Sequence, residues 1–226
     1  MKAFLRVAGA ITRKDLLAEW RSRETVSTLF TFTLLVMVIF GLAVEAATAE
    51  LEAVAPGIMW VALCFAGVLL LNRSFQNEGE NECIAALMLA PADRAAIFFG
   101  KALANLAFMA LVEAFAVPAF AVLFGLDLLA GLPLLALVLG LGTAGFILVG
   151  TFLAALTANA RASEVLLPVL LFPLAVPVLI AAVRGTAVAL AGGGFAEAGQ
   201  WVPLLLIYDL LFATLAYLLF DLVLET

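Results

Sequence analysis

Histidine is missing from all 226 residues, and cysteine occurs only at Cys64 and Cys83. Without an imidazole there is no H-E-x-x-H zinc motif and no Ser–His nucleophile pair, nor an axial histidine for a haem iron. One cysteine falls in an apolar run and the other in a polar one, so neither a disulfide framework nor a Cys/His metal site is expected. No G-x-x-x-x-G-K-[ST] occurs, which excludes nucleotide hydrolysis through a P-loop in this chain. Asp and Glu are too scattered for a two-metal carboxylate site. An enzyme is therefore not expected, and no catalytic residue, metal ligand or directly bound cofactor is assigned. Charge is scarce too, at 12% of residues against about 25% in soluble domains.

Apolar residues fill the chain instead: 66% are hydrophobic, and the mean hydropathy is +1.23. Runs such as 166–183 are continuously apolar, unlike the alternating ~10-residue strands of outer-membrane barrels. The fold class is an all-α integral membrane protein, with a single transmembrane domain over 1–226. Residues 1–24 are amphipathic: Phe4, Val7, Ala8 and Ile11 share a stripe that Leu16, Leu17 and Trp20 continue, with Lys2, Arg6, Arg13 and Lys14 off it. This reads as an interfacial helix; a plain basic tail is the alternative. Spans follow at about 26–44, 58–71, 95–124, 133–156, 165–183 and 201–222, where a bilayer asks for ~20 residues. Ala47-Thr48-Ala49 mimics a cleavage site, but the run before it exceeds the ~7–15 residues of a signal h-region, and five more spans follow. Cleavage is not expected. Pro118 is expected to kink the third span, and Gly140, Gly142, Gly145 and Gly150 in the fourth suit close helix packing.

Six spans put both termini on one side. On that side lie Lys2, Arg6, Arg13, Lys14, Arg21, Arg23, Arg73, Arg94, Lys101 and Arg161; opposite lies Arg184, with Glu45, Glu50, Glu52, Asp127 and Glu197. Positive charge gathers on the cytoplasmic face of membrane proteins, so both termini and the polar interval 72–101 are expected in the cytoplasm.

That interval contains the candidate coupling element, a cytoplasmic loop at 72–94. Phe75 leaves the second span, and Glu78, Glu80 and Glu82 form an acidic patch. Ile84, Leu87 and Met88 give a short helix one apolar face, Pro91 ends it, and Asp93 and Arg94 lead into the third span. Such a helix suits docking into a groove on a cytoplasmic protein; a solvated connector, the plainer alternative, would leave its apolar face uncovered. No nucleic-acid partner is expected. Within the spans, Glu113 lies ~18 Å along the helix from Lys101, at 1.5 Å per residue. An ionisable group at that depth either lines a cavity or bonds within the bundle, and Asp209 beside Tyr208 is a second case. Pro173 and Pro177 remove two helical donors within about one turn, which makes either a hinge or a fixed kink.

Several stretches, in order, carry a resemblance: Ala55-Pro56-Gly57-Ile58-Met59-Trp60-Val61-Ala62, then Leu87-Met88-Leu89-Ala90-Pro91 followed by Gly100-Lys101-Ala102, then Leu123-Phe124-Gly125-Leu126-Asp127, and Pro173-Leu174-Ala175-Val176-Pro177-Val178-Leu179-Ile180. Together they resemble the haem exporter protein B family (CcmB), the permease-type member of the cytochrome c maturation system. The interval Asn81-Glu82-Cys83-Ile84-Ala85 departs from the family, with Glu82 standing where a glycine is usual.

The resemblance implies an ABC-2-type permease-like fold in the bacterial inner membrane. It also implies a complex with two copies of a cytoplasmic ABC ATPase, which binds the ATP. A haem-handling membrane protein (CcmC), a small single-span protein (CcmD) and a periplasmic haem chaperone (CcmE) complete it, with membrane lipid around. On this reading the chain couples ATP hydrolysis in the partner to haem handling and to release of the haem-loaded chaperone in the periplasm. An ABC permease for another substrate, lipid or drug, and an ATP-independent membrane scaffold are the alternatives.

Overall fold

In hydrocarbon a backbone N–H or C=O finds no water, so apolar runs of this length fold as helices that pair their own peptide groups. The computed structural model describes residues 2–22, 24–44, 51–79, 94–158 and 163–223, and among these there are seven helices and no strand. In chain order they are α1 (Lys2–Ser22), α2 (Glu24–Val44), α3 (Leu51–Gly79), α4 (Arg94–Phe124), α5 (Leu132–Thr157), α6 (Ser163–Leu190) and α7 (Trp201–Val223). The last six are long and apolar enough to cross a membrane.

Helix α5 is central, packed on α3, α4, α6 and α7. Lipid is as apolar as leucine, so these helices associate by close van der Waals contact rather than by expelling water. The glycines of α5 serve that contact: Gly142 meets Trp60, Gly145 meets Tyr208 and Val178, and Gly150 meets Leu71, whereas Gly140 has nothing within 4 Å of its would-be Cβ. Helix α1 lies across α4. A Cβ on Gly100 would come within 2.9 Å of Ile11 Cβ and 2.8 Å of the Ala8 carbonyl oxygen, so a bare backbone at 100 is what lets the two helices touch. Ile11 thereby joins Ile97, Phe98, Ala102 and Phe220 in a buried cluster. Part of the α1 stripe is thus covered by protein, while Leu17 on it stays exposed.

Two helices outrun the apolar runs expected of them. Helix α3 begins at Leu51 rather than 58, with Pro56 inside it; a proline in the first two turns deletes only one ladder bond. It also continues to Gly79, so the loop expected over 72–94 does not start at 72. Polar residues 72–79 keep the helical ladder once the apolar run has ended, and the Arg73 guanidinium pairs with Glu24 of α2 at 2.6 Å. Helix α6 extends beyond 165–183 because Arg184 can stay exposed while Thr186 is buried, its Oγ1 accepting from Trp60 Nε1 at 3.0 Å. The interval between the expected spans 165–183 and 201–222 therefore shrinks to a loop over 191–200. Gly192, at φ +73°, ends the helix: its N–H donates to the Ala189 carbonyl (3.0 Å) and that of Gly193 to Val188 (2.9 Å). This left-handed cap satisfies two otherwise orphaned carbonyls. Pro118, Pro168, Pro173 and Pro177 all lie inside uninterrupted helices.

Candidate functional site

A buried ammonium has to be paired and hydrogen-bonded, because its desolvation is otherwise too costly. Lys101 is 2% exposed. Its Nζ donates to the Ser74 carbonyl of α3 at 2.9 Å and lies 3.5 Å from Asp15 Oδ2 of α1. Asp15 Oδ1 also pairs with Lys14 at 3.2 Å. One turn along α1, the Thr12 hydroxyl donates to the Gly100 carbonyl at 2.9 Å. Further on, Glu19 Oε1 accepts the Val26 N–H at 3.0 Å, taking up one of the unpaired donors at the start of α2. With the Arg73–Glu24 pair, these contacts bind α1, α2, α3 and α4 together at one end of the bundle. The last residue of α3 and the first of α4, which flank segment 80–93 in the chain, belong to that same end.

A second set of polar contacts lies within the spans. The Thr143 hydroxyl of α5 bonds the Glu113 carboxyl of α4. Asn105 Nδ2 donates to Thr151 Oγ1 at 3.3 Å, again between α4 and α5. Asp209 Oδ1 is buried without a hydrogen-bond partner among the described residues, and it lies against Gly145. Thr143 and Gly145 are two positions apart, about 200° around a helix, so Glu113 and Asp209 meet different faces of α5. The Tyr208 hydroxyl donates to the Leu174 carbonyl at 2.8 Å. That carbonyl stands next to Pro173, whose own carbonyl loses its helical donor to Pro177. Tyr208 therefore braces α6 where its ladder is weakest.

The residues read from the sequence as a site are dispersed. Phe75 and Glu78 fall in the final turns of α3, and Arg94 opens α4. Glu80, Glu82, Ile84, Leu87, Met88 and Asp93 lie outside the described residues. Of the intramembrane candidates, Glu113 bonds within the bundle, Asp209 follows Tyr208 in α7, and the Tyr208 hydroxyl reaches the Leu174 carbonyl between Pro173 and Pro177. The sequence reading missed Lys101 as anything more than an interfacial charge, and missed Asp15 and Ser74 entirely. A usable signal was there: Lys101 has Phe98-Phe99-Gly100 before it and Ala102-Leu103-Ala104 after it, and a lysine so placed must find a partner.

Residues 6–223 match the family described as CcmB protein. The chain belongs to the CcmB family. Curated relatives include heme exporter protein B of Pseudomonas aeruginosa, 35% identical over 149 residues that make up 66% of either chain. The protein of that name from Rhodobacter capsulatus is 39% identical over 58% of this chain and 59% of its own. That of Haemophilus influenzae is 30% identical over 75% and 76%. The first two matches thus span less than two thirds of those relatives' length. CcmB membership and six apolar helices agree on a multi-pass membrane protein.

Proposed function

We propose that this chain is the permease-type membrane subunit of an ABC-type haem exporter of cytochrome c maturation. The relatives' name supports haem as the cargo of the complex. Having no histidine, this chain leaves imidazole ligation of haem to its partners. Two copies of a cytoplasmic ATPase would bind and hydrolyse the ATP. CcmC would handle haem, with the small CcmD beside it, and the chaperone CcmE would leave haem-loaded on the periplasmic side. The charge asymmetry supports an inner-membrane protein with both termini in the cytoplasm.

The observation that carries the coupling role is the buried Lys101, which ties α1 to α3 and α4, the two helices leading into segment 80–93. A push on that segment by an ATPase would be passed to three helices at once rather than lost at a loose end. The test is co-expression with the cytoplasmic ATPase. ATPase activity should rise when the two proteins associate, and Lys101→Met should abolish the rise while pull-down persists. Association without any change in ATPase activity would favour the scaffold reading, and no association at all would remove the coupling role.

A further inference from the structure

Helices α4 and α5 follow one another in the chain, and two polar pairs join them inside the span. The Asn105 carboxamide donates to the Thr151 hydroxyl at 3.3 Å, and the Thr143 hydroxyl bonds the Glu113 carboxyl. Asn105 and Glu113 stand eight residues apart on α4, and Thr151 and Thr143 eight apart on α5. Both pairs therefore obey one antiparallel register, about 12 Å apart at 1.5 Å per residue. That register sets Met109 opposite Ile147, both buried, and Phe124 opposite Leu132 where the two helices meet their connecting loop. Hydrogen bonds close that loop as well. The Leu126 N–H donates to the Ala121 carbonyl at 3.0 Å, the Leu129 N–H to Asp127 Oδ1 at 2.9 Å, and the Leu135 N–H to the Gly131 carbonyl at 2.9 Å. Sliding α4 by one residue along α5 would part both polar pairs at once, and hydrocarbon offers no water to replace them. One interhelical hydrogen bond in lipid is modest, but a shared register makes any slip forfeit both. We infer that α4 and α5 form a register-locked lever, which carries an axial displacement of the Lys101 end across the membrane to loop 125–131, where Leu129 is 80% exposed. The lock stands on the two polar pairs, and its use as a lever rests on the coupling role proposed above.

Nitroxides on Leu103→Cys and Leu156→Cys, exposed positions of α4 and α5, read the register in the full chain in nanodiscs. Cys83→Ser removes a competing thiol, and Cys64 is buried. The distance between the labels should be single and narrow. Thr143→Val together with Thr151→Val should broaden it, and either valine alone, which keeps one pair, should broaden it less. Thr143→Ser with Thr151→Ser keeps both hydroxyls and should restore the narrow distance. Thr214→Val, which loses a hydroxyl bonded only to Leu210 of its own helix, should change nothing. A broad native distribution overturns the lock, as does one that the paired valines leave narrow or that Thr214→Val broadens equally. With the cytoplasmic ATPase bound, adding ATP should preserve that distance and change severalfold the rate at which an impermeant reagent labels Leu129→Cys. An ATPase whose activity does not respond to association removes the coupling role and the lever with it, while the nitroxides judge the lock without any ATPase. A responding ATPase with unchanged Leu129→Cys labelling overturns the lever alone.

Discussion

Lys101 and Gly145 show how single positions bear on the bundle in opposite ways, one by an attraction and one by an absence. Replacing Lys101 with Met deprives the Ser74 carbonyl and Asp15 of the ammonium. The expected loss is about 1–3 kcal/mol, the cost of stranding a buried polar partner. Lys14 still holds Asp15 at 3.2 Å, which keeps the loss toward the lower end. A double-mutant cycle with Asp15→Asn, read by thermal unfolding in detergent, should show coupling of about 0.5 kcal/mol or more; strict additivity would refute the pair. At Gly145 an added methyl would land 2.5 Å from Asp209 Oδ1 and 3.0 Å from both Tyr208 Cδ1 and Val178 Cγ2. Gly145→Ala should therefore destabilise by about 1–3 kcal/mol through overpacking. Gly140→Ala, with nothing within 4 Å, should be neutral or stabilising by a few tenths up to about 1 kcal/mol. Equal melting temperatures for the two alanine variants would show that α5 does not pack as described.

Among the elements, α6 is the one whose backbone is most compromised, since it carries Pro168, Pro173 and Pro177 and still runs unbroken. Its continuity depends on neighbours, and Tyr208 of α7 is the neighbour that reaches a carbonyl there. Tyr208→Phe keeps the ring and its contact with Phe212 but removes the hydroxyl. The expected cost is about 1 kcal/mol, with faster amide exchange confined to α6 around Leu174. Unchanged exchange in that stretch would mean the hydroxyl does not brace the helix. The proline spacing was visible in the sequence as a hinge or a kink. That a tyrosine 34 residues on would steady it was not, because a helix-to-helix bond leaves no mark on local periodicity.

For the molecule as a whole, the orientation in the membrane and the partner surface can be measured together. A cysteine introduced near Gly193, at the exposed Gly194 where an added Cβ meets nothing within 4 Å, should react with an impermeant reagent from the periplasmic side, and Cys83 should not; the reverse pattern would invert the topology. Cys64 is buried and should stay silent in either case. Charge reversal at Glu78, Glu80 and Glu82 together should weaken capture of the ATPase by tagged protein, and undiminished capture would remove that acidic patch from the interface.

The class of fold and the number of long apolar helices were legible in the chain alone. Continuous apolar runs leave the backbone no partner but itself, and ten basic residues against one record a bias that needs no coordinates. The CcmB resemblance was equally visible in the order of its short stretches. Helix ends were less so, since hydropathy reports where lipid begins and not where the hydrogen-bond ladder stops; hence the polar last turns of α3 and the extra turns of α6. The contacts of the candidate site were not legible at all. Lys101, Asp15 and Ser74 stand far apart in sequence, and a buried lysine is tolerable only where folding delivers a carboxylate and a carbonyl to it. Which distant groups arrive there is settled by packing, through features as small as the missing side chain of Gly100.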